Sequence, residues 1–314
     1  MNSSDDKKIT VLGLGGVGGY LGALLADTYP HVSFVARGAR GASIREKGLT
    51  LHSDYRGGRT VRPERVVETA AELPPQDYIF ICVKNYSLEE ACRSLAGCVT
   101  DHTVIVPVMN GADPGDRARA YIEKGTVIDS LIYIVAFAGS DFSVTQQGNF
   151  ANLFVGIQDA DSRLWQTSCG IADLLNRAGI DCTATRNIQT EIWRKYIFNC
   201  AYNVETALYD NNIGQLRRDP EKVSDFEALV DEAYRVALAK GVPVTEDHRK
   251  AILHRFYCEL QDNATSSLQR DVNAGTRTEL ETFSGYIVRE AQRLNVSAPV
   301  SGRIYAQLKE KCRS

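Results

Sequence analysis

The chain has little of what would commit it to a metal, a membrane or a nucleic acid. Its eight cysteines stand apart, at 82, 92, 98, 169, 182, 200, 258 and 312, with no C-x-x-C pair, and its five histidines form no cluster at metal-ligand spacing. No metal site is expected, and most of the cysteines read as small buried apolar residues of a reducing cytosol. No apolar run approaches the ~18 residues of a membrane helix, and MNSSDDKK has no apolar stretch after its charges. Neither a membrane span nor a signal peptide is expected, so the expected location is cytoplasmic. Two triplets, at Asn263 and Asn295, match the glycosylation pattern; without export they are chance matches. The formal net charge of -3 supplies no basic surface for nucleic acid or an anionic membrane. No repeat or low-complexity segment is present.

What is there is an ordinary globular composition, 44% hydrophobic over 314 residues, long enough for two domains. One stretch, WRKYIFNCAYN from Trp193 to Asn203, carries Lys195, Asn199 and Asn203 at four-residue intervals. On a helix each such step turns only about 40° past a full circle, so the three side chains stack along one face over roughly 12 Å. Asparagine is a mediocre helix former that competes for its own backbone. Two of them aligned with a lysine read as a polar wall facing something, to be inferred from the rest of the chain.

The N-terminal region supplies the partner for that wall. Ile9 to Leu12 is a short apolar run that enters Gly13-Leu14-Gly15-Gly16-Val17-Gly18 and continues into a helix-like YLGALLADTYP. In this strand, turn and helix Gly13 allows the tight turn, Gly15 lets the backbone approach a pyrophosphate, and Gly18 lets helix and strand pack closely. The next strand, His31 to Ala36, ends at Arg37, where an NAD-binding fold carries an acid for the ribose hydroxyls. An arginine there suits a 2′-phosphate, with Arg40 a second candidate, so the expected cofactor is NADP(H).

YIFICV, ending at Val83, runs directly into Lys84, and TVIVPVM runs into Asn110. Continuous apolar runs of this kind are buried parallel strands, whose carboxyl ends hold ligands. The runs between Val127 and Ile157 predict further strands, in the manner of an antiparallel extension of the sheet, with a polar loop around Gln146, Gln147 and Gly148. Helices are expected over Ser162–Arg177, Val223–Lys240, Asp247–Leu260 and Thr278–Leu294, with an extended piece at Asp181–Thr185. The whole reads as an α/β Rossmann-type domain, residues 1–186, followed by an all-helical domain, residues 187–314.

The segments GLGGVGGYLGALLA, VKNYS, MNGA, WRKYIFNCAYN and SLQRDVNAGTRTELETFSGYIVREAQRLNVSAP, in this order and at this spacing, resemble the ketopantoate reductase family. The resemblance covers most of the chain. It implies NADPH-dependent reduction of 2-dehydropantoate to (R)-pantoate on the route to coenzyme A, with Lys195 the catalytic lysine and Asn199, Asn203 and Ser267 at substrate-binding positions. Asn110 matches an asparagine that meets cofactor and substrate, Lys84 and the Ala136 backbone match cofactor contacts, and Glu279 matches a glutamate near the nicotinamide ribose and reacting centre. The chain departs from the family at Val204-Glu205-Thr206-Ala207, where members tend to read Pro-Leu-Thr-Ala, and at Ile213-Gly214, where an Asn-Gly is frequent. One substrate contact is thereby lost unless Asn211 or Asn212 replaces it, which leaves the exact 2-oxo acid open.

Residue chemistry agrees with this reading. Reduction of a carbonyl leaves a developing alkoxide that needs a proton and a positive charge, and Lys195 supplies both. Two other readings stay open: a related NADP-dependent enzyme of another 2-oxo or 2-hydroxy acid, and a non-catalytic NADPH-binding sensor. Monomer and homodimer are equally compatible with the sequence.

Overall fold

Apolar runs too short for helices become the strands of the first half of the chain. The computed structural model describes residues 6–312. It divides into two compact units, one ending at Ile188 and the other starting at Gln189. The first unit contains β1 (Ile9–Leu12), β2 (Val32–Val35), β3 (Leu49–Ser53), β4 (Arg59–Val61), β5 (Arg65–Val67), β6 (Tyr78–Ile81), β7 (Val104–Pro107), β8 (Thr126–Val127), β9 (Asp129–Ala138), β10 (Val144–Gly156) and β11 (Cys182–Ala184).

Six of these strands form a sheet in the order β5-β2-β1-β6-β7-β8, with every neighbouring pair parallel. With the β3–β4 hairpin set aside, this is the strand order of the doubly wound dinucleotide-binding fold, and the order reverses between β1 and β6. Parallel strands covered on both faces need no polar alternation, and β1 and β2 are buried at every position. In β1 the buried Thr10 hydroxyl donates to Oε1 of Gln76 at 2.9 Å.

The remaining strands form a second sheet, β11-β10-β3-β4, with β9 antiparallel to β10. The runs between Val127 and Ile157 therefore do not extend the parallel sheet as expected; after β8 they turn into a hairpin of the second one. The polar stretch Gln146–Gly148 is likewise no loop, because it lies inside β10 where the register with β9 shifts between Gln147 and Asn152. Gln146 is fully buried, and its amide donates to the carbonyls of Gln147 and Gly148 at 2.8 and 2.7 Å. A bulge leaves backbone groups without a strand partner, and a buried glutamine satisfies them. The chain reversal sits at 139–143, where Phe142 has a φ of 68°.

Among the described residues this unit also has α1 (Gly16–Thr28), α2 (Gly38–Lys47), α3 (Leu88–Ser94), α4 (Pro114–Tyr121) and α5 (Ser162–Arg177), with short 3-10 turns at Ala70–Glu72 and Asn85–Ser87. α1 contacts β1 and β2 of one sheet and β3, β4, β9 and β10 of the other. That explains why Gly18 to Leu25 is buried without a break. α5 opens on an Asp161 side chain that accepts from the Leu164 N–H, and Gly179 follows it at a φ of 75°.

Among its described residues the second unit has helices and no strand. α6 (Ile188–Tyr209) begins where the first unit ends, and α7 (Ile213–Arg217), α8 (Pro220–Ala239), α9 (Glu246–His254), α10 (Ser267–Asn273), α11 (Tyr286–Arg293) and α12 (Pro299–Lys311) follow. π turns extend α9 through Arg255–Glu259 and precede α11 at Glu281–Gly285. Trp193, Tyr196 and Tyr286 meet edge-on or tilted at 5.4 to 6.3 Å, and Phe226 stacks on Phe256 at 3.8 Å. At the far end of α6 the Lys311 ammonium donates to the carbonyls of Ala207 and Leu208, both at 2.9 Å, which closes the helix C-terminus with a positive charge. No helix among the described residues is long and apolar enough to cross a membrane.

Candidate functional site

In the first unit the candidate residues gather where β1 and β6 end, at the reversal of strand order. Gly13 has a φ of 92°, and a Cβ there would stand 2.8 Å from the Cys82 carbonyl oxygen. A Cβ on Gly18 would stand 1.9 Å from the Gly13 carbonyl oxygen, so helix and turn touch through that glycine. Gly15 is different: a Cβ there would meet nothing within 4 Å. Gly15 is also the N-cap of α1, which has no side-chain cap and no acid in its first turn. The uncapped N–H groups and the helix dipole together favour an anion at this end. Ala136 belongs here too, for a Cβ on Gly16 would lie 2.3 Å from its carbonyl oxygen. Leu14 points its side chain into the core and Val17 is half-buried, so both meet the turn through their backbone.

The two arginines divide. Arg37 is the exposed N-cap of α2, paired with Glu90 at 2.7 Å in a contact open to water on both sides. Arg40 instead donates to the carbonyls of Leu14 at 2.9 Å and Phe142 at 3.3 Å, and lies 5.3 Å from the Phe142 ring centre. It is engaged in bracing the glycine turn.

Lys84 caps a short 3-10 turn, Asn85–Ser87, just past β6, and Asn110 lies just past β7. A residue that the sequence reading passed over ties these two loops together. Asn85 is buried; its amide donates to the Asn110 carbonyl at 2.7 Å, and its own oxygens accept from Arg117 of α4 at 3.1 and 2.9 Å. The signal was available, since a polar residue directly after Lys84 at the end of a buried strand has few ways to be satisfied.

In the second unit, Lys195, Asn199 and Asn203 all lie on α6. Asn199 and Asn203 are only 9% and 4% exposed, and they are linked: Nδ2 of Asn203 donates to Oδ1 of Asn199 at 3.3 Å. Oδ1 of Asn203 in turn accepts from the Ser267 hydroxyl at 3.1 Å and the Leu268 N–H at 3.3 Å. Ser267, 64 residues away in sequence, is thus brought onto the stripe by the N-terminus of α10. Glu279, 5% exposed, is no surface acid; its carbonyl accepts from the N–H groups of Thr282 and Phe283 at 2.9 and 3.1 Å at the entry to the π turn that precedes α11. The Lys195 pKa falls to about 8 because burial disfavours the ammonium and Arg255 repels it, while Glu279 acts the other way.

The sequence departures lie off the stripe. Glu205 comes two residues after Asn203, about 200° around the helix, and is fully buried. Ile213 is also fully buried. Asn212 caps α7 by accepting from Gln215, and Asn211 accepts from the Lys222 ammonium at 2.9 Å. Both asparagines are therefore engaged elsewhere.

Comparison with known proteins agrees with this arrangement. A family model described as Ketopantoate reductase PanE/ApbA matches residues 9–159, and one described as Ketopantoate reductase PanE/ApbA C terminal matches residues 187–312. The chain is 25% identical over 301 residues to a Bacillus subtilis protein named uncharacterized oxidoreductase YkpB, covering 96% of this chain and 97% of that one. A crystal structure titled 2-dehydropantoate 2-reductase from Methylococcus capsulatus is 29% identical with a TM-score of 0.84, covering 96% of each chain. D-mandelate dehydrogenase, in a ternary structure with NADH and anilino(oxo)acetate, shares the fold at a TM-score of 0.86 and 19% identity, with 98% of each chain covered. Two family models spanning most of both units establish the relationship: the chain belongs to the ketopantoate reductase family of nicotinamide-dependent oxidoreductases.

Proposed function

We propose that this chain is an NADPH-dependent 2-oxo acid reductase and that its substrate is 2-dehydropantoate, reduced to (R)-pantoate in the supply of coenzyme A. The observation that carries the reading is Lys195: a lysine with its pKa lowered to about 8 and coupled to Glu279, on the helix whose next two turns hold Asn199 and Asn203 bonded to Ser267. A 2-oxo acid reductase needs those elements together, and a sensor of cofactor redox state has no need of them.

In this proposal the first unit holds the dinucleotide and the second supplies the acid. Gly13, Gly15, Gly16, Gly18 and the backbone of Leu14 and Val17 receive the pyrophosphate at the α1 N-terminus, Arg37 takes the 2′-phosphate, and Lys84, Asn110 and the Ala136 backbone complete the contacts. When bound, the dihydronicotinamide supplies the reducing equivalent to the carbonyl carbon. Lys195 donates a hydrogen bond to the carbonyl oxygen and then its proton to the alkoxide. A pKa of about 8 suits this role, since the group is still protonated at neutral pH yet far more acidic than an ordinary lysine. Its positive charge stabilises the oxygen as negative charge develops. Glu279 keeps that charge in place, and Asn199, at the end of the hydrogen-bond chain from Ser267, contributes an amide donor to the substrate. The expected compartment is the cytosol, in keeping with eight unpaired cysteines.

A second reading, reduction of a different 2-oxo acid, is favoured by one local fact. The position where the family frequently carries an asparagine is Ile213, buried, and both nearby asparagines are bonded elsewhere. NADPH oxidation at 340 nm with 2-dehydropantoate and a panel of other branched 2-oxo acids, for the wild type and Lys195→Met, tests both readings. Turnover of 2-dehydropantoate lost by ~10²-fold or more in the mutant supports the proposal; preference for another acid selects the second reading; turnover unchanged in the mutant overturns the role of the lysine.

A further inference from the structure

We propose that Arg255 recognises the carboxylate of the 2-oxo acid, leaving Lys195 to the carbonyl oxygen; this rests on the reductase reading above. The argument starts from how the polar stripe uses its donors. The Ser267 hydroxyl and the Leu268 N–H both point at Asn203, and the Asn203 amide points at Asn199. These groups largely satisfy one another, and none of them carries a charge. A carboxylate placed in a partly buried site without a countercharge loses hydration that neutral donors replace poorly. Lys195 is the one cation on the stripe, and the reacting oxygen requires it.

Arg255 stands in the adjacent position. Its guanidinium lies 4.7 Å from the ring centre of Phe198, three residues after Lys195 and next to Asn199 on α6. The Phe198 ring stacks on Tyr202 at 5.0 Å and 18°, and the Tyr202 hydroxyl donates to the Thr265 carbonyl at 2.7 Å. This aromatic platform is thus anchored two residues before Ser267, beside the polar stripe. Arg255 opens the π turn at the end of α9, where its carbonyl accepts from the Leu260 N–H five residues on. A π turn re-aims side chains relative to the α-helix before it, and such turns concentrate at functional sites.

The charge of Arg255 also reaches the site, since it is one of the causes that lower the Lys195 pKa. Arg270, the other cation acting on Tyr202, is an exposed residue and less suited to a desolvated anion. A guanidinium matches a carboxylate in a two-point contact no lysine reproduces, and an aromatic ring beside it favours its positive charge. A carboxylate fixed at Arg255 orients the neighbouring carbonyl, which makes Arg255 a determinant for acids over ketones and aldehydes. The rival is a clamp that only packs α9 against α6 through Phe198.

Arg255→Met and Arg255→Lys, in the full-length protein saturated with NADPH, separate the two. The Met variant is expected to raise KM for the 2-oxo acid by about 10- to 100-fold, with a much smaller change in kcat and unchanged affinity for NADPH; Lys restores part of the loss. Its kcat/KM profile also shifts its alkaline limb to higher pH, because a positive neighbour of Lys195 is gone. Titration of the wild type and the Met variant with oxamate, an unreactive carboxylate, reads binding without turnover and is expected to show the same ratio. Unchanged KM and oxamate affinity in the Met variant overturn the proposal. So does a joint fall of kcat and melting temperature with no rescue by Lys, the signature of the clamp. If the wild type reduces no member of the panel while oxamate binding still depends on Arg255, the reductase reading fails and this one stands; loss of both binding and turnover in the wild type sinks both.

Discussion

Lys195 and Glu205 lie ten residues apart on α6, and burial drives both toward their neutral forms: the lysine falls to about 8 and the glutamate rises to about 9. The difference is in what answers them. Lys195 has the opposing charge of Glu279, whereas both carboxylate oxygens of Glu205 are buried without a hydrogen-bond partner. The charges around Glu205 divide, with Asp225 and Asp219 raising its pKa and Lys222 and Arg303 lowering it. In the proposed reaction the first shift would serve proton transfer, whereas the second is a cost the helix carries on a different face.

The first prediction follows from the sign of the lysine shift. An acid is active while protonated, so kcat/KM for reduction stays level below pH ~7 and falls about tenfold per unit above pH ~8. Since Glu279 holds the Lys195 pKa up, Glu279→Gln is expected to move that limb to lower pH. A pH profile in which Glu279→Gln leaves the limb where it was removes the coupling between these two residues.

Glu205 gives a stability prediction of opposite sense to the usual carboxylate. Its folded pKa is raised from 4.5 to about 9, so the folded protein keeps a proton that the unfolded chain has released. The penalty is absent near pH 4, grows as pH rises above the unfolded value, and levels off above about pH 9. Glu205→Leu, the residue type the family tends to carry here, is expected to stabilise the protein by on the order of a few kcal/mol at pH 8. Urea midpoints measured from pH 5 to 9 check this, and a gain that does not shrink toward pH 5 counts against the buried carboxyl as its source.

How much of this was legible in the sequence depended on range. The glycine turn, the unbroken apolar strands and the lysine stripe are patterns within a dozen residues, and each appears where its spacing puts it. Ser267 could be joined to Asn203 only through the family resemblance, since no local rule links residues 64 positions apart. Gln146 was misread because a buried bulge and an exposed turn both call for polar residues. Arg37 is the first candidate in sequence and Arg40 the second, and it is the position of the Leu14 and Phe142 carbonyls that gives Arg40 its own task. The π turn that carries Arg255 has no sequence signature at all.

That separation of the arginines can be read in cofactor preference. Arg37 loses only an exposed ion pair on mutation, so Arg37→Ala should fold normally and weaken NADPH by about 10- to 100-fold while leaving NADH nearly unchanged. Arg40→Ala releases the Leu14 carbonyl of the glycine turn and the Phe142 carbonyl of the β9–β10 reversal, and should weaken both cofactors together, with a lower melting temperature. Fluorescence titration of each variant with the two cofactors decides; equal losses for NADPH and NADH in Arg37→Ala would show that Arg37 does not read the 2′-phosphate.

The glycines offer the sharpest contrast, because a Cβ would clash with backbone at Gly18 and meet nothing at Gly15. Alanine at Gly18 puts a methyl group 1.9 Å from the Gly13 carbonyl oxygen and 2.8 Å from the Cys82 Cβ, and neither backbone nor β-carbon can yield without separating α1 from β1 and β6. Gly18→Ala should therefore lower the melting temperature and lose cofactor binding as a consequence of that separation. Alanine at Gly15 meets no protein atom within 4 Å, and its φ of -74° is ordinary for any residue. Gly15→Ala should keep the wild-type melting temperature and still lose affinity for NADPH, since the added methyl group occupies space beside the uncapped end of α1. Melting and NADPH titration on both variants separate a glycine needed by the fold from one needed by the ligand. If Gly15→Ala binds NADPH as the wild type does, the pyrophosphate does not approach the backbone at that residue.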